Sequence, residues 1–120
     1  MKEDLDPSVW INYFNEFSRR NQSRPTRLEV FDELGAKVEE RGLAFAGIAL
    51  ETDRGALPSV EIMLGGHDAI EPRNLTHVIA NVREINPKRG SDGRDETLEI
   101  IGAQGETSFL LFGPRAMLAV

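Results

Sequence analysis

Ala36-Lys37-Val38-Glu39-Glu40-Arg41-Gly42-Leu43-Ala44-Phe45-Ala46-Gly47-Ile48-Ala49-Leu50-Glu51 decides the fold. Over residues 36–51 the pattern is that of one long extended strand. Leu43 and Phe45 alternate with smaller residues. After Gly47 the phase slips by one position, and Ile48 and Leu50 take over. A one-residue slip at a glycine predicts a β-bulge or a sharp strand bend.

The same alternation extends outward in both directions. Arg27 to Phe31 reads as a first strand, with Leu28 and Val30 on one face and a turn at Leu34-Gly35. Asp53-Arg54-Gly55 supplies a hairpin turn, and Ser59 to Leu64 follows with Val60, Ile62 and Leu64 on one face. Thr76 to Ile85 reads as a further strand ended by Asn86-Pro87. Thr97 to Ile101 and Thr107 to Phe112 form a hairpin about Gly102-Ala103-Gln104-Gly105, and Gly113-Pro114 closes the sheet.

The chain before residue 27 has a helical period. Asp6-Pro7 is a helix start, because Asp caps well and Pro suits the first helical position. Val9, Trp10, Tyr13, Phe14 and Phe17 share one stripe, which predicts a core-facing helix. The helix fades at Arg20-Asn21, and Pro25 forbids its continuation. The sequence thus predicts an α+β, mostly β domain over residues 1–120. A helix over about 7–20 precedes about six antiparallel strands over 27–112, forming a bent sheet, roll or small barrel. An apolar tail, 113–120, either packs on the domain or meets a partner.

Composition narrows the function classes. With 120 residues, one real core can be buried. Cysteine is absent, which excludes disulfides, thiolate nucleophiles and Cys-based metal centres. No apolar run has the length of a membrane helix, and the first residues carry no export signal, so a cytoplasmic location is expected. A net charge of −6 opposes binding to nucleic acid. Serines 8, 18, 23, 59, 91 and 108 lie in no Gly-x-Ser-x-Gly element.

Two sets of residues could hold a ligand. The irregular segment 65–77 carries His67, Asp68, Glu71, Arg73 and His77, residue types that ligate divalent metals or move protons. Their spacing matches neither HxH nor HExxH, and Gly65-Gly66-His67-Asp68 lacks the rest of a phosphate-loop motif. His77 faces outward or towards a groove if Val78 and Val82 point in, and is a satisfied core histidine if its strand is buried on both faces. The second set is Arg19, Arg20, Arg24 and Arg27, a phosphate patch or simply cations at a helix C-terminus. Lys88, Arg89 and Arg94 form another basic cluster. Glu39-Glu40, Asp92 and Asp95-Glu96 read as solvated carboxylates.

Trp10-x-x-x-Phe14-x-x-Phe17-Ser18, Leu43-x-x-x-Gly47-Ile48, Ile62-Met63-Leu64-Gly65-Gly66 and Leu75-Thr76-His77-x-Ile79 resemble a family of small bacterial proteins of unknown function. The resemblance spans most of the chain and implies no reaction. The architecture also looks like Sm-like small barrels, but Lys88-Arg89-Gly90 does not reproduce their RNA-contacting motif. The reading is a binding or accessory module without a catalytic set or cofactor, which self-associates or meets a protein partner through sheet edges and tail. Its alternatives are a small-molecule or divalent-metal site at 65–77, with or without catalysis, and phosphate or nucleic-acid binding through the cluster Arg19 to Arg27.

Overall fold

The computed structural model describes residues 5–52, 57–66 and 74–113, with backbone alone at residues 40 and 41. A single 3-10 turn, Pro7–Val9, leads into α1, Trp10–Arg20. The Asp6 side chain accepts the Ser8 backbone N–H at 2.9 Å, as its capping role requires. Trp10, Phe14 and Phe17 turn inward and are almost fully buried. Val9 does not join them. It lies in the 3-10 turn, whose tighter winding rotates it off the stripe, and it is 42% exposed.

Seven strands are described: β1 Pro25–Asp32, β2 Gly35–Glu51, β3 Ser59–Gly65, β4 Asn74–Ile79, β5 Val82–Arg89, β6 Asp95–Gly102 and β7 Thr107–Phe112. They form one antiparallel sheet in the order β4-β3-β2-β1-β7-β6-β5. The sheet is not closed, since β4 and β5 stand at opposite ends of that order.

β2 makes the bend. Its first part pairs with β1 from Gly35 to Ala44, and its last part pairs with β3 from Phe45 to Glu51. The register shifts between Phe45 and Gly47, at the bulge anticipated from the sequence. The helix locks this point. Ser18 Oγ donates to the Ile48 carbonyl at 3.2 Å and accepts the Ile48 N–H at 3.0 Å. The bulged backbone would otherwise leave these groups unpaired.

The expected strand from Thr76 to Ile85 is two strands. Asn81 adopts φ +53, a left-handed conformation that Asn tolerates, and the chain turns there. Asn86-Pro87 does not end a strand either. Pro87 pairs with Leu98 inside β5, an edge strand, where a missing N–H is tolerated. The Asp53–Gly55 turn, Pro114 and the tail 116–120 lie outside the described residues.

The core sits between the helix and the inner face of the sheet. Leu28, Val60, Ile62, Leu98, Ile100 and Leu110 reach it from four different strands, and each is fully buried. Phe17, Phe45 and Phe112 pack at centroid distances of 5.5 to 5.7 Å. Each such ring contributes about 1.5 to 3 kcal/mol through burial alone. Phe31 and Phe109 instead pair edge-on at 5.4 Å on the outer face, with Phe31 39% exposed. Not every aromatic is therefore in the core. Among the described residues, no helix is long and apolar enough to cross a membrane.

Candidate functional site

The C-terminal end of α1 lies against the β5–β6 hairpin, and the contact is polar. Arg20 ends the helix, and Asn21 caps it: its N–H and its Nδ2 both donate to the Phe17 carbonyl, at 3.2 and 2.9 Å. Asn21 Nδ2 also donates to Asp95 Oδ2 at 2.8 Å. Asp95 opens β6 at a register shift, so its side chain points under the helix end. Arg20 Nε and Nη2 donate to the two Asp95 carboxylate oxygens at 3.0 and 3.2 Å. The carboxylate is thus held by a two-pronged arginine and a buried amide.

The expectation that Asp95 is a solvated carboxylate is overturned. Its side chain is 6% exposed, because the helix end covers it. Burial pushes its carboxyl pKa up, but the hydrogen bonds from Arg20 and Asn21 and the Arg20 charge outweigh this, and the net shift is downward. The same bond raises Arg20.

Arg24 stands beside this pair. Its guanidinium lies over the Phe112 ring at 4.7 Å. Nη1 donates to Asn21 Oδ1 at 2.8 Å and to the Asp95 carbonyl at 2.9 Å. Both acceptors are neutral, and among the described residues its Nε and Nη2 donors remain. Burial, and next the Arg94 charge, lower its pKa, with Asp95 and Asp92 opposing. It stays cationic near neutrality, as arginine does.

The hairpin supplies the other wall. Gly90 N–H donates to the Arg94 carbonyl at 2.9 Å, and Asp92 Oδ1 accepts the Arg94 N–H at 2.9 Å. Gly93, at φ +81, completes the turn. Arg89 and Arg94 are carried on either side of it. Arg20, Asn21, Arg24, Arg89, Gly93, Arg94 and Asp95 line an open cleft of about 300 Å³. Tyr13 packs against Arg20, whose guanidinium lies 5.7 Å from the centre of its ring. Burial and then the Asp95 charge push the Tyr13 hydroxyl up to about 12, so it stays a neutral donor.

The structure therefore merges two residues from each basic cluster seen in the sequence. Arg20 and Arg24 meet Arg89 and Arg94. Arg19 does not contribute; it is exposed and lies 3.8 Å from Glu16. Arg27 does not line the cleft. It is 5% exposed on β1, and its Nε donates to Glu29 Oε2 at 2.5 Å. Asn21 and Asp95 were missed in the sequence because they are polar positions that become buried only when the helix meets the hairpin.

Of the set at 65–77, His67, Asp68, Glu71 and Arg73 lie outside the described residues. His77 shares the inner face of β4 with Leu75 and Ile79, while Val78 is 54% exposed. Its Nε2 is 3.4 Å from Ser108 Oγ on β7. Burial lowers the His77 pKa, with Glu39 opposing. His77 thus points inward from a strand that is exposed on its other face, a third arrangement beside the two expected, and its neighbour is a hydroxyl rather than a backbone group or carboxylate. Among the described residues, no three His, Asp or Glu side chains gather as a metal set.

A family model described as a family of unknown function (DUF5335) matches residues 1–119. No curated protein matches the chain, and no solved structure does.

Proposed function

We propose, for a chain that belongs to this family of unknown function, that it is a small binding module whose ligand carries a compact phosphate group. The observation that carries the reading is the convergence of four arginines on one cleft of about 300 Å³. Its buried carboxylate is already engaged by Arg20 and Asn21. Arg24, Arg89 and Arg94 have no carboxylate partner at ion-pair distance among the described residues.

Such an arrangement suits an anion for two reasons. Guanidinium forks present planar pairs of donors that match phosphate oxygens. An anion would also relieve the repulsion between Arg24 and Arg94. Asp95 holds the Arg20 plane at the rim and competes with an incoming anion for its charge. The chain's charge of −6 opposes a polyanion at long range, which favours a small ligand over nucleic acid.

Titration with inorganic phosphate and then pyrophosphate at low ionic strength tests the reading, followed by the arginine side-chain Nε–Hε signals in NMR. Shifts confined to Arg20, Arg24, Arg89 and Arg94, weakened by salt and abolished in Arg24→Ala/Arg94→Ala, are expected. Ligand at about 100 times its dissociation constant should also stabilise the fold by about 2.7 kcal/mol. Absence of any shift with both anions at low salt refutes it.

A further inference from the structure

The two edges of the open sheet are built differently. β5 carries Arg83, Glu84, Lys88 and Arg89, has Pro87 within it, and shifts register against β6 twice. The Leu5 N–H donates to the Ile85 carbonyl at 3.0 Å, so the segment before the helix occupies part of that edge. Charges, proline, bulges and a covering segment all keep an edge strand from pairing with another chain.

Among the described residues, β4 has none of these. Asn74-Leu75-Thr76-His77-Val78-Ile79 contains no Lys, Arg, Asp, Glu or Pro. Its pairing with β3 runs from Gly65↔Asn74 to Val60↔Ile79 without a register shift. Among the described residues, no segment hydrogen-bonds to its other side. Val78 stands 54% exposed on the outer face.

We propose that β4 pairs antiparallel with β4 of a second copy across a two-fold axis, joining the two sheets edge to edge. The strand's own sequence points to a second copy as the occupant. Residues opposite each other in an antiparallel pair face the same side, so a two-fold pairing must match parity. Centred on His77, it sets Thr76 against Val78 and Leu75 against Ile79 of the second copy. Both matches put like faces together, and the outer one pairs two β-branched side chains. Centred on Thr76, it would set Val78 against Asn74, a poorer match. Charge adds a second reason. Copies with a net charge of −6 repel, and an uncharged strand lets them meet without placing like charges opposite one another. The contact is isologous and closes at two subunits.

Sedimentation equilibrium of the full chain over a wide concentration range tests this. The wild type is expected to dimerise. Val78→Lys places a lysine on an already exposed position, where folding tolerates it, and should raise the dimer dissociation constant at least about tenfold. Thr76→Lys, checked for folding by circular dichroism, should do the same. Arg83→Glu on the β5 edge should leave the constant unchanged. A wild type monomeric at every concentration overturns the proposal, and recovery with a bound peptide instead of a second copy does so as well. A dimer indifferent to both lysines overturns it in favour of another face.

Discussion

Asp95→Asn removes the charge that ties the helix to the β5–β6 hairpin, and its effect can be worked out before it is measured. The carboxylate accepts from Arg20 Nε at 3.0 Å, Arg20 Nη2 at 3.2 Å and Asn21 Nδ2 at 2.8 Å. Removing one partner of a fully buried pair costs about 3 to 5 kcal/mol, whereas an exposed pair is worth about 0 to 1. This pair is asymmetric, with Asp95 6% and Arg20 36% exposed. Water reaches the arginine and screens part of the loss, so about 2 kcal/mol is expected. For a domain of this size that lowers Tm by roughly 6 to 10 °C. The pH dependence has a definite sign. The folded-state pKa of Asp95 lies below its ordinary value. Its stabilisation is therefore complete above the unfolded value of about 3.9 and is lost as pH falls through the folded value. Thermal unfolding at pH 7 and at about pH 3 should show the gap between wild type and variant wide at the first and narrowed at the second. Phosphate binding should move the opposite way. Loss of a competing negative charge releases Arg20 towards the cleft, giving tighter binding by about 1 kcal/mol, roughly fivefold. A variant as stable as the wild type at neutral pH, or a gap unchanged in acid, refutes the account of the tie.

Three further outcomes follow from the geometry. Ser18→Ala strips the β2 bulge of both its Ile48 hydrogen bonds and should cost about 1 to 2 kcal/mol in urea denaturation. Gly42→Ala and Gly47→Ala should differ in the same assay. Gly42 has φ +96, so alanine is strained there by about 1 to 3 kcal/mol. Gly47 is not in the left-handed region, and an added Cβ would meet Met63 Cε at an ordinary 3.6 Å, so its variant should stay within about 1 kcal/mol of wild type. His77→Gln should remove one acid-labile step from the stability profile. Burial lowers the folded pKa of His77 against the opposing charge of Glu39, so protonation favours the unfolded chain. Stability is unaffected above the unfolded pKa of about 6.5 and falls as pH drops from there towards the folded value. Melting curves from pH 7.5 to 5 should show that fall reduced in the variant.

How far the fold is legible depends on whether a feature is local. The Asp6-Pro7 start, the Trp10–Phe17 stripe and the Phe45–Ile48 phase slip are encoded within a few residues. The structure carries all three, although Val9 leaves the stripe and the bulge has a different cause from the one its glycine suggests. Gly47 adopts no special φ, and the slip is held by Ser18, 30 positions away. The split between β4 and β5 is also local, but its signal is one Asn in a left-handed turn inside an otherwise continuous pattern. Pro87 misleads for a topological reason. Proline is compatible with a strand only at an edge, and no local pattern shows that β5 is one.

The cleft is less legible because its parts come from separate segments. Arg20 and Asp95 are 75 positions apart, and no periodicity relates them. Each basic cluster has a sufficient explanation by itself: helix-end cations in one, a solvated hairpin in the other. Only the packing of the helix C-terminus on β6 makes them one site. That packing gives Asp95 two effects. Its carboxylate is the counterion that lets several guanidiniums come close in the folded state, and it competes for the charge that an incoming anion would use. A stronger internal counterion would stabilise the fold and weaken the site, and its removal would do the reverse. The opposed responses expected for Asp95→Asn express that coupling. A variant that lost stability and phosphate affinity together would mark Asp95 as a purely structural support of the cleft.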